Sequence, residues 1–359
     1  MSHARVFLLA IAVLGLPSPR ILSAQDFVGR IVELRLTEGP YAGGFRQQAN
    51  DARLNWYFAN LGLLAVCEGR PDLVEPYLDL YLSKVDGRTG TIRDVADLGT
   101  GALQRSDSDD SYAATFLSLA ARYRASPGGE RWWGRNRVKL KEIARLVLLD
   151  HQKPSGLVPS FANSDRGTVA YLMDNCEVYR GLRDLSRALR ADRDPDAKTY
   201  AEAADRVATG VVGLFDEGRQ SFRIADIAGV ETFYPQHAAQ VFPEVFGVPL
   251  GDAARTRARY AAAWAALNAG GAAGQPRDRW EEGEVADGSL GGYPWMVLGY
   301  AAVRRGEPGV ARTQLASFAR RSGRPDPPPS YTAIQELGWA ARATSALGGG
   351  RASSAHPPS

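Results

Sequence analysis

The sequence predicts an all-α protein built from repeated helical hairpins, and three observations carry that expectation. Apolar residues recur at three- and four-residue spacing in one segment after another, the mark of helices with a buried face. The segments come in pairs, and the first helix of each pair starts near residues 48, 110, 175, 236, 291 and 331, a period of about 60 residues. Such a period signals a helical repeat, either a toroid or a solenoid.

The first 24 residues stand apart as a secretory signal. Arg5 precedes the apolar run Val6–Leu16, and Leu22-Ser23-Ala24 offers a cleavage point after Ala24. The run is too short to cross a bilayer, which needs roughly 20 apolar residues. A secreted or periplasmic protein with no membrane span after cleavage is expected; an uncleaved interfacial anchor is the alternative. Asp26–Thr37 has helical periodicity and leads into the loop Glu38–Gly44. The first long helix is Gln47–Glu68, with Leu54, Phe58, Leu61, Leu64 and Ala65 on one face, and Pro71 starts its partner, which runs to Lys84.

The hairpin then recurs. Asp110–Arg124 pairs with Glu130–Gln152, Asn175–Arg190 with Pro195–Phe215, Gln236–Val248 with Asp252–Asn268, and Gly291–Arg304 with Pro308–Arg321. A last helix, Tyr331–Leu347, pairs with the N-terminal helix and closes a ring. Residues 25–347 form one domain on this reading, and the Gly/Ser/Pro-rich tail 348–359 is disordered. Connections within hairpins are short. Those between hairpins (85–109, 153–174, 217–235, 269–290 and 322–330) are long. In an alternating inner and outer ring, all the long connections lie on one rim, where binding and chemistry usually sit.

Composition narrows the partners. A net charge of +3 without a dense Lys/Arg block implies no nucleic acid. Cys67 and Cys176 fit no metal spacing and read as buried free thiols. No cofactor or metal is called for, and a monomer is expected.

Acids and aromatics gather where the inner helices begin. Asp107, Asp109 and Asp110 run straight into an apolar helix; a helix cap accounts for one of them and leaves two. Packed carboxylates raise at least one pKa, which suits glycosidic acid/base chemistry. Asp174 and Glu177 share a face at i and i+3, although Asp-x-x-Glu also resembles a capping box. Tyr112, Asn175 and Tyr179 add polar and aromatic surface. Tyr234, Gln236 and His237 open the fourth inner helix, Tyr293 and Trp295 the fifth, and Tyr331 and Glu336 the last. Aromatic faces stack on pyranose rings while amide and imidazole groups bind hydroxyls. Trp132 and Trp133 begin an outer helix and read as packing residues. Trp280 and its acidic neighbours lie in a long loop.

Four stretches carry a family resemblance: Leu54–Leu64, Asp109–Leu117, Tyr171–Tyr179 and Phe233–Pro243. In order and spacing they resemble the six-hairpin glycosidase superfamily, whose fold is the (α/α)6 barrel. The resemblance implies a six-hairpin toroid with long loops on one rim, a carbohydrate-active protein, and often an inverting hydrolase with two carboxylates. The aspartate-rich helix opening is also similar to that of family 8 endoglucanases. Their proton donor's place before the first barrel helix is filled here by Gln48, Asn50 and Asp51.

The expectation is therefore an exported glycoside hydrolase acting on a poly- or oligosaccharide. Asp109 or Asp110 would be the acid, and Asp174 or Glu177 the base. Asp107, Tyr112, Asn175, Tyr179, Tyr234, Gln236, His237, Tyr293 and Trp295 would bind substrate. A non-catalytic glycan-binding or cell-envelope protein is the alternative. A class II terpene cyclase-like protein is a lesser one, through Asp107-Ser108-Asp109-Asp110.

Overall fold

The computed structural model describes residues 22–162, 164–227, 238–269, 293–325, 327 and 329–348. Twelve α-helices follow one another among these residues: α1 (Ala24–Glu33), α2 (Trp56–Val66), α3 (Pro71–Lys84), α4 (Asp109–Tyr123), α5 (Gly129–Ile143) and α6 (Leu172–Ala191), then α7 (Ala197–Gly213), α8 (Phe242–Phe246), α9 (Ala253–Ala269), α10 (Met296–Arg304), α11 (Pro308–Ser322) and α12 (Ile334–Gly348). The even-numbered helices form an inner ring in which each packs on the next, and α12 closes it by packing on α2. The odd-numbered helices lie outside, with α1 against α12. This is the (α/α)6 toroid that the sequence implied.

Residue pattern explains the two layers. In α2 eight of eleven residues are buried, from Trp56 to Val66, as an element covered on all sides requires. In α7 the buried residues, among them Ala197, Tyr200, Ala204, Val207 and Val211, recur at three and four, leaving Lys198 and Glu202 to solvent. Trp132 and Trp133 of α5 are buried as packing residues, their indole N–H groups donating to Asp79 and Asp192 at 2.6 Å each. Inner helices touch through small residues. A Cβ added to Gly62 would lie 2.5 Å from Ile334 Cγ1, and one on Gly338 would lie 2.8 Å from Gly62 Cα.

Several boundaries differ from expectation; the third inner helix starts at Leu172 rather than Asn175 and the fifth at Met296 rather than Gly291. The first inner helix starts at Trp56 rather than Gln47, because Asn50 takes a left-handed φ of 60° and Leu54 pairs with Val95 as an isolated bridge. Asn55, at the junction, caps the helix by accepting from Phe58 N. The fourth inner helix is a 3-10 turn (Ala238–Val241) followed by α8, and Gly247 at φ 71° ends it. The last begins at Ile334, after a 3-10 turn over Pro329–Thr332. The long connections also carry two short antiparallel ribbons, β1 (Arg93–Asp97) with β2 (Ala102–Arg105), and β3 (Phe215–Asp216) with β4 (Ser221–Phe222). Cys67 and Cys176 are both buried and unbridged. No described helix is long and apolar enough to cross a membrane.

Candidate functional site

Hydrogen bonds tie the inner helices together start to start. Tyr112 near the head of α4 accepts from Asn55 at the head of α2, 2.7 Å away. Ser108 at the head of α4 reaches Asp174 of α6, and Leu172 N donates to Ile224 O in the segment that leads toward α8. Met296 N at the head of α10 donates to Glu336 of α12 at 2.6 Å, and Ile334 N donates to Gln47 O ahead of α2. The described openings among those singled out in the sequence therefore share one rim. Inner-helix ends meet likewise through cations: Arg122 bonds Glu68, Arg124 bonds Asp192, and Arg305 bonds Glu244. Acids at the N-terminal rim and arginines at the other complement the helix dipoles.

At the acid rim, Asp110, Asp174 and Glu177 form one cluster between α4 and α6. Ser108 Oγ donates to Asp110 Oδ1 at 2.6 Å and lies 3.3 Å from Asp174 Oδ2, which also accepts from Ser160 Oγ at 2.6 Å. Glu177 Oε1 accepts from the Tyr57 hydroxyl at 2.8 Å. One serine hydroxyl has one proton, so it cannot serve two ionised carboxylates at once. Burial, and then the neighbouring Asp174 charge, push Asp110 and Glu177 well above the ordinary carboxyl range. Burial also lifts Asp174, to about 6, with the Ser160 hydrogen bond opposing it. Asp110 Oδ2 and Glu177 Oε2 are buried without a hydrogen-bond partner, as protonated or ligand-seeking oxygens would be.

A second acid lies across the ring. α6 and α12 are three places apart in a circle of six, so Glu336 at the head of α12 stands on the wall opposite Asp174. The residue is 3 % exposed, and its carboxyl accepts from Met296 N and is pushed by burial to about 7. Tyr293 packs on Trp295 with ring centroids 4.6 Å apart, and Gln335 donates to the Tyr293 hydroxyl. Trp295 holds φ 45°, a conformation rarely tolerated by a bulky residue and often found at functional positions.

The remaining candidates separate by face. Asp107 is exposed, and its charge bears on Asp94, Tyr112 and Asp174. Asp109 is a brace instead of the expected acid: it accepts from Ser106 Oγ at 2.6 Å and from Ala162 N at 3.1 Å. Tyr112 is 1 % exposed and donates to Asp94 at 2.7 Å, so it supports the wall from behind. Asn175 is fully buried, with its amide clamped to Val158 and Tyr171 backbone, and Tyr179 is buried beneath Arg183. On α6 the axis-facing stripe is Glu177, Arg180, Asp184 and Ala188, which turns Asn175 and Tyr179 toward the outer layer. These two and Tyr112 are therefore corrected from substrate contacts to supports. Tyr331 is packing too, stacked on Phe318. Tyr234, Gln236, His237 and Trp280 lie outside the described residues.

Sequence reading missed Tyr57, Ser160 and Asp94. Asp94 accepts from Asn55, Trp56 N and Tyr112, and burial lifts it to about 7. Glu336 carried a signal, an acid at the start of the last inner helix, and is more central than its place in the sequence announced. Among the described residues no group of three or more His, Cys, Asp or Glu could hold a metal.

Comparison with solved structures finds the same architecture over nearly the whole chain. A wild-type glycosidase superposes with a TM-score of 0.62 at 13% identity, over 90% of this chain and 96% of that one. A GH63 mannosylglycerate hydrolase from Thermus thermophilus, solved with glucose, gives 0.59 at 14% identity over 91% and 99%. A GH78 rhamnosidase of Bacillus sp. GL1 gives 0.56 at 16% identity, over 82% of this chain and 32% of that one. No family model and no curated protein matches the sequence. The expected (α/α)6 barrel, with its likeness to six-hairpin glycosidases, holds as a shared fold.

Proposed function

We propose that the protein is an exported glycoside hydrolase that cleaves a poly- or oligosaccharide with inversion, using Glu336 as acid and Asp174 as base. One observation carries the reading. Two carboxyl groups with raised pKa stand on opposing walls of the acid rim, in a barrel whose solved counterparts include glycosidases. Glu336, protonated up to about 7, donates its proton to the glycosidic oxygen as the bond to the anomeric carbon breaks. Asp174, ionised above about 6, takes a proton from the water that attacks that carbon from the opposite face.

The expected pairing of Asp110 with Asp174 fits less well. Both oxygens contact Ser108 Oγ, at 2.6 and 3.3 Å, and so lie closer together than the roughly 6.5–9.5 Å that leaves room for sugar and water. Asp110 and Glu177 are instead buried neighbours with raised pKa, while burial and then the Asp107 charge keep Asp174 basic. Tyr57, Tyr293, Trp295 and the exposed Asp107 supply sugar-facing surface.

The test is reducing-end release from bacterial and plant polysaccharides, glucosides, rhamnosides and mannosylglycerate. Asp174→Asn and Glu336→Gln are each expected to lower kcat about 10²–10⁴-fold with the circular dichroism spectrum unchanged. Proton NMR of the first product should show the inverted anomer. Full activity in both variants would move the chemistry elsewhere. Binding by the wild type without cleavage of any member would favour the glycan-binding alternative.

Export is part of the same reading and rests on the apolar run Val6–Leu16. N-terminal sequencing of the processed protein should begin at Gln25. Such a chain loses Ser23, which caps α1 by accepting from Asp26 N.

A further inference from the structure

The other end of the barrel has a chemistry of its own. A cavity of about 540 Å³ runs down the axis from Glu177 to the C-terminal ends of the inner helices. Six arginines line it: Arg122, Arg124, Arg180, Arg187, Arg304 and Arg342. Dipole complementation explains those in the last turn of a helix, but Arg180 and Arg342 sit well inside α6 and α12.

Matching the charges leaves a remainder. Arg122 and Arg124 are answered by Glu68 and Asp192, outside the cavity. Arg180 and Arg187 share Asp184. Arg304 donates to Val245 O, and Arg342 lies over the Tyr300 and Trp339 rings at 4.5 and 4.4 Å. Neither of these two has a carboxylate at ion-pair distance among the described residues. The like charges crowd. Burial first, and then Arg122 and Arg180, disfavour the charged form of Arg342, while Tyr300 favours it. Against the upward push of burial, the surrounding guanidinium groups hold Tyr300 below its ordinary pKa. Such an arrangement is poised for an anion.

We propose that this cavity binds a phosphate monoester of about sugar size, its dianion held by Arg304 and Arg342. Two unmatched guanidinium groups equal the charge of one phosphate dianion, and guanidinium forks suit its oxygens. The volume far exceeds a bare phosphate ion and falls in the range of small-molecule sites, roughly 300–1,000 Å³. The Tyr300 hydroxyl and Ser118 give a sugar its hydrogen bonds, and the Tyr300 and Trp339 rings already stack on Arg342. This inference is independent of the assignment at the acid rim.

The test is calorimetric titration of the whole protein with glucose 6-phosphate, inorganic phosphate and glucuronate, in chloride at constant ionic strength. Saturable binding of glucose 6-phosphate is expected, tighter than either other probe. In Arg304→Gln and Arg342→Gln its affinity should fall about tenfold or more. A melting curve separates loss of a ligand from loss of fold. In phosphate-free buffer Arg342→Gln should melt no lower than wild type, because a repelled charge is gone, and should lose the rise that glucose 6-phosphate gives. Equal affinity for inorganic phosphate would overturn the monoester, and tighter glucuronate binding would overturn phosphate altogether. No saturable binding, or variants that bind like wild type, would overturn the site.

Discussion

At the scale of single residues, the acid rim makes a pH prediction with a definite sign. The proposed base must be ionised and the proposed acid protonated, so kcat should be bell-shaped, with limbs near 6 and 7 set by Asp174 and Glu336. The activity that Asp174→Asn retains should lack the acidic limb. Ser160→Ala removes the 2.6 Å hydrogen bond that favours ionised Asp174, so the acidic limb should move up in pH, as a pH–rate series would show. Behind the wall, Tyr112→Phe strips Asp94 of a buried donor and should cost about 1–3 kcal/mol in urea unfolding. Sequence legibility was uneven at this scale. Asp174 and Glu177 announced themselves by spacing. Asn175 and Tyr179 misled, because a sequence tells which residues share a helix face and not which face meets the axis. Asp94 gave no local signal: its burial exists only once β1 lies over the start of α2.

At the scale of elements, the close helix contacts predict an outcome opposite to helix propensity. Alanine is favoured over glycine in a helix by about 1 kcal/mol. Yet Gly62→Ala should destabilise by about 1–3 kcal/mol, since the new methyl would lie 2.5 Å from Ile334 Cγ1 and 2.9 Å from its carbonyl oxygen. Thermal melting compared with that of Gly134→Ala, an open position, isolates the contact. Hairpin number, order and the inner/outer alternation were all readable, because apolar periodicity and Gly/Pro turns are local. The broken fourth inner helix was not. Its apolar run Ala238–Phe246 reads as helix, while Gln240 pairs with both backbone groups of Phe222 and holds the start as a 3-10 turn.

At the scale of the whole molecule, the buried acids set how stability responds to pH. Asp94, Asp110, Asp174, Glu177 and Glu336 all have folded pKa values above their unfolded ones. The native state therefore binds more protons than the unfolded state above about 4, and stability falls as pH rises through about 6 to 7, where Asp174, Asp94 and Glu336 lose theirs. The melting temperature should rise on acidification from pH 8 to pH 5, as scanning calorimetry would record. Carboxylates held low, such as Asp194 and Asp252, oppose this only below about 4, where they begin to protonate.

Ring closure also dictates when the fold can be completed. α12 leaves the ribosome after the other described helices, yet it packs on both α1 and α2, the earliest of them. Until it arrives the nascent chain is an open arc with two unmatched ends, and no subset of hairpins makes a smaller closed ring. A chain cut before Ile334 should therefore bind chaperone and succumb to protease as a whole, from its first hairpin to its fifth. A closing piece made late thus gives completion of the ring a built-in delay.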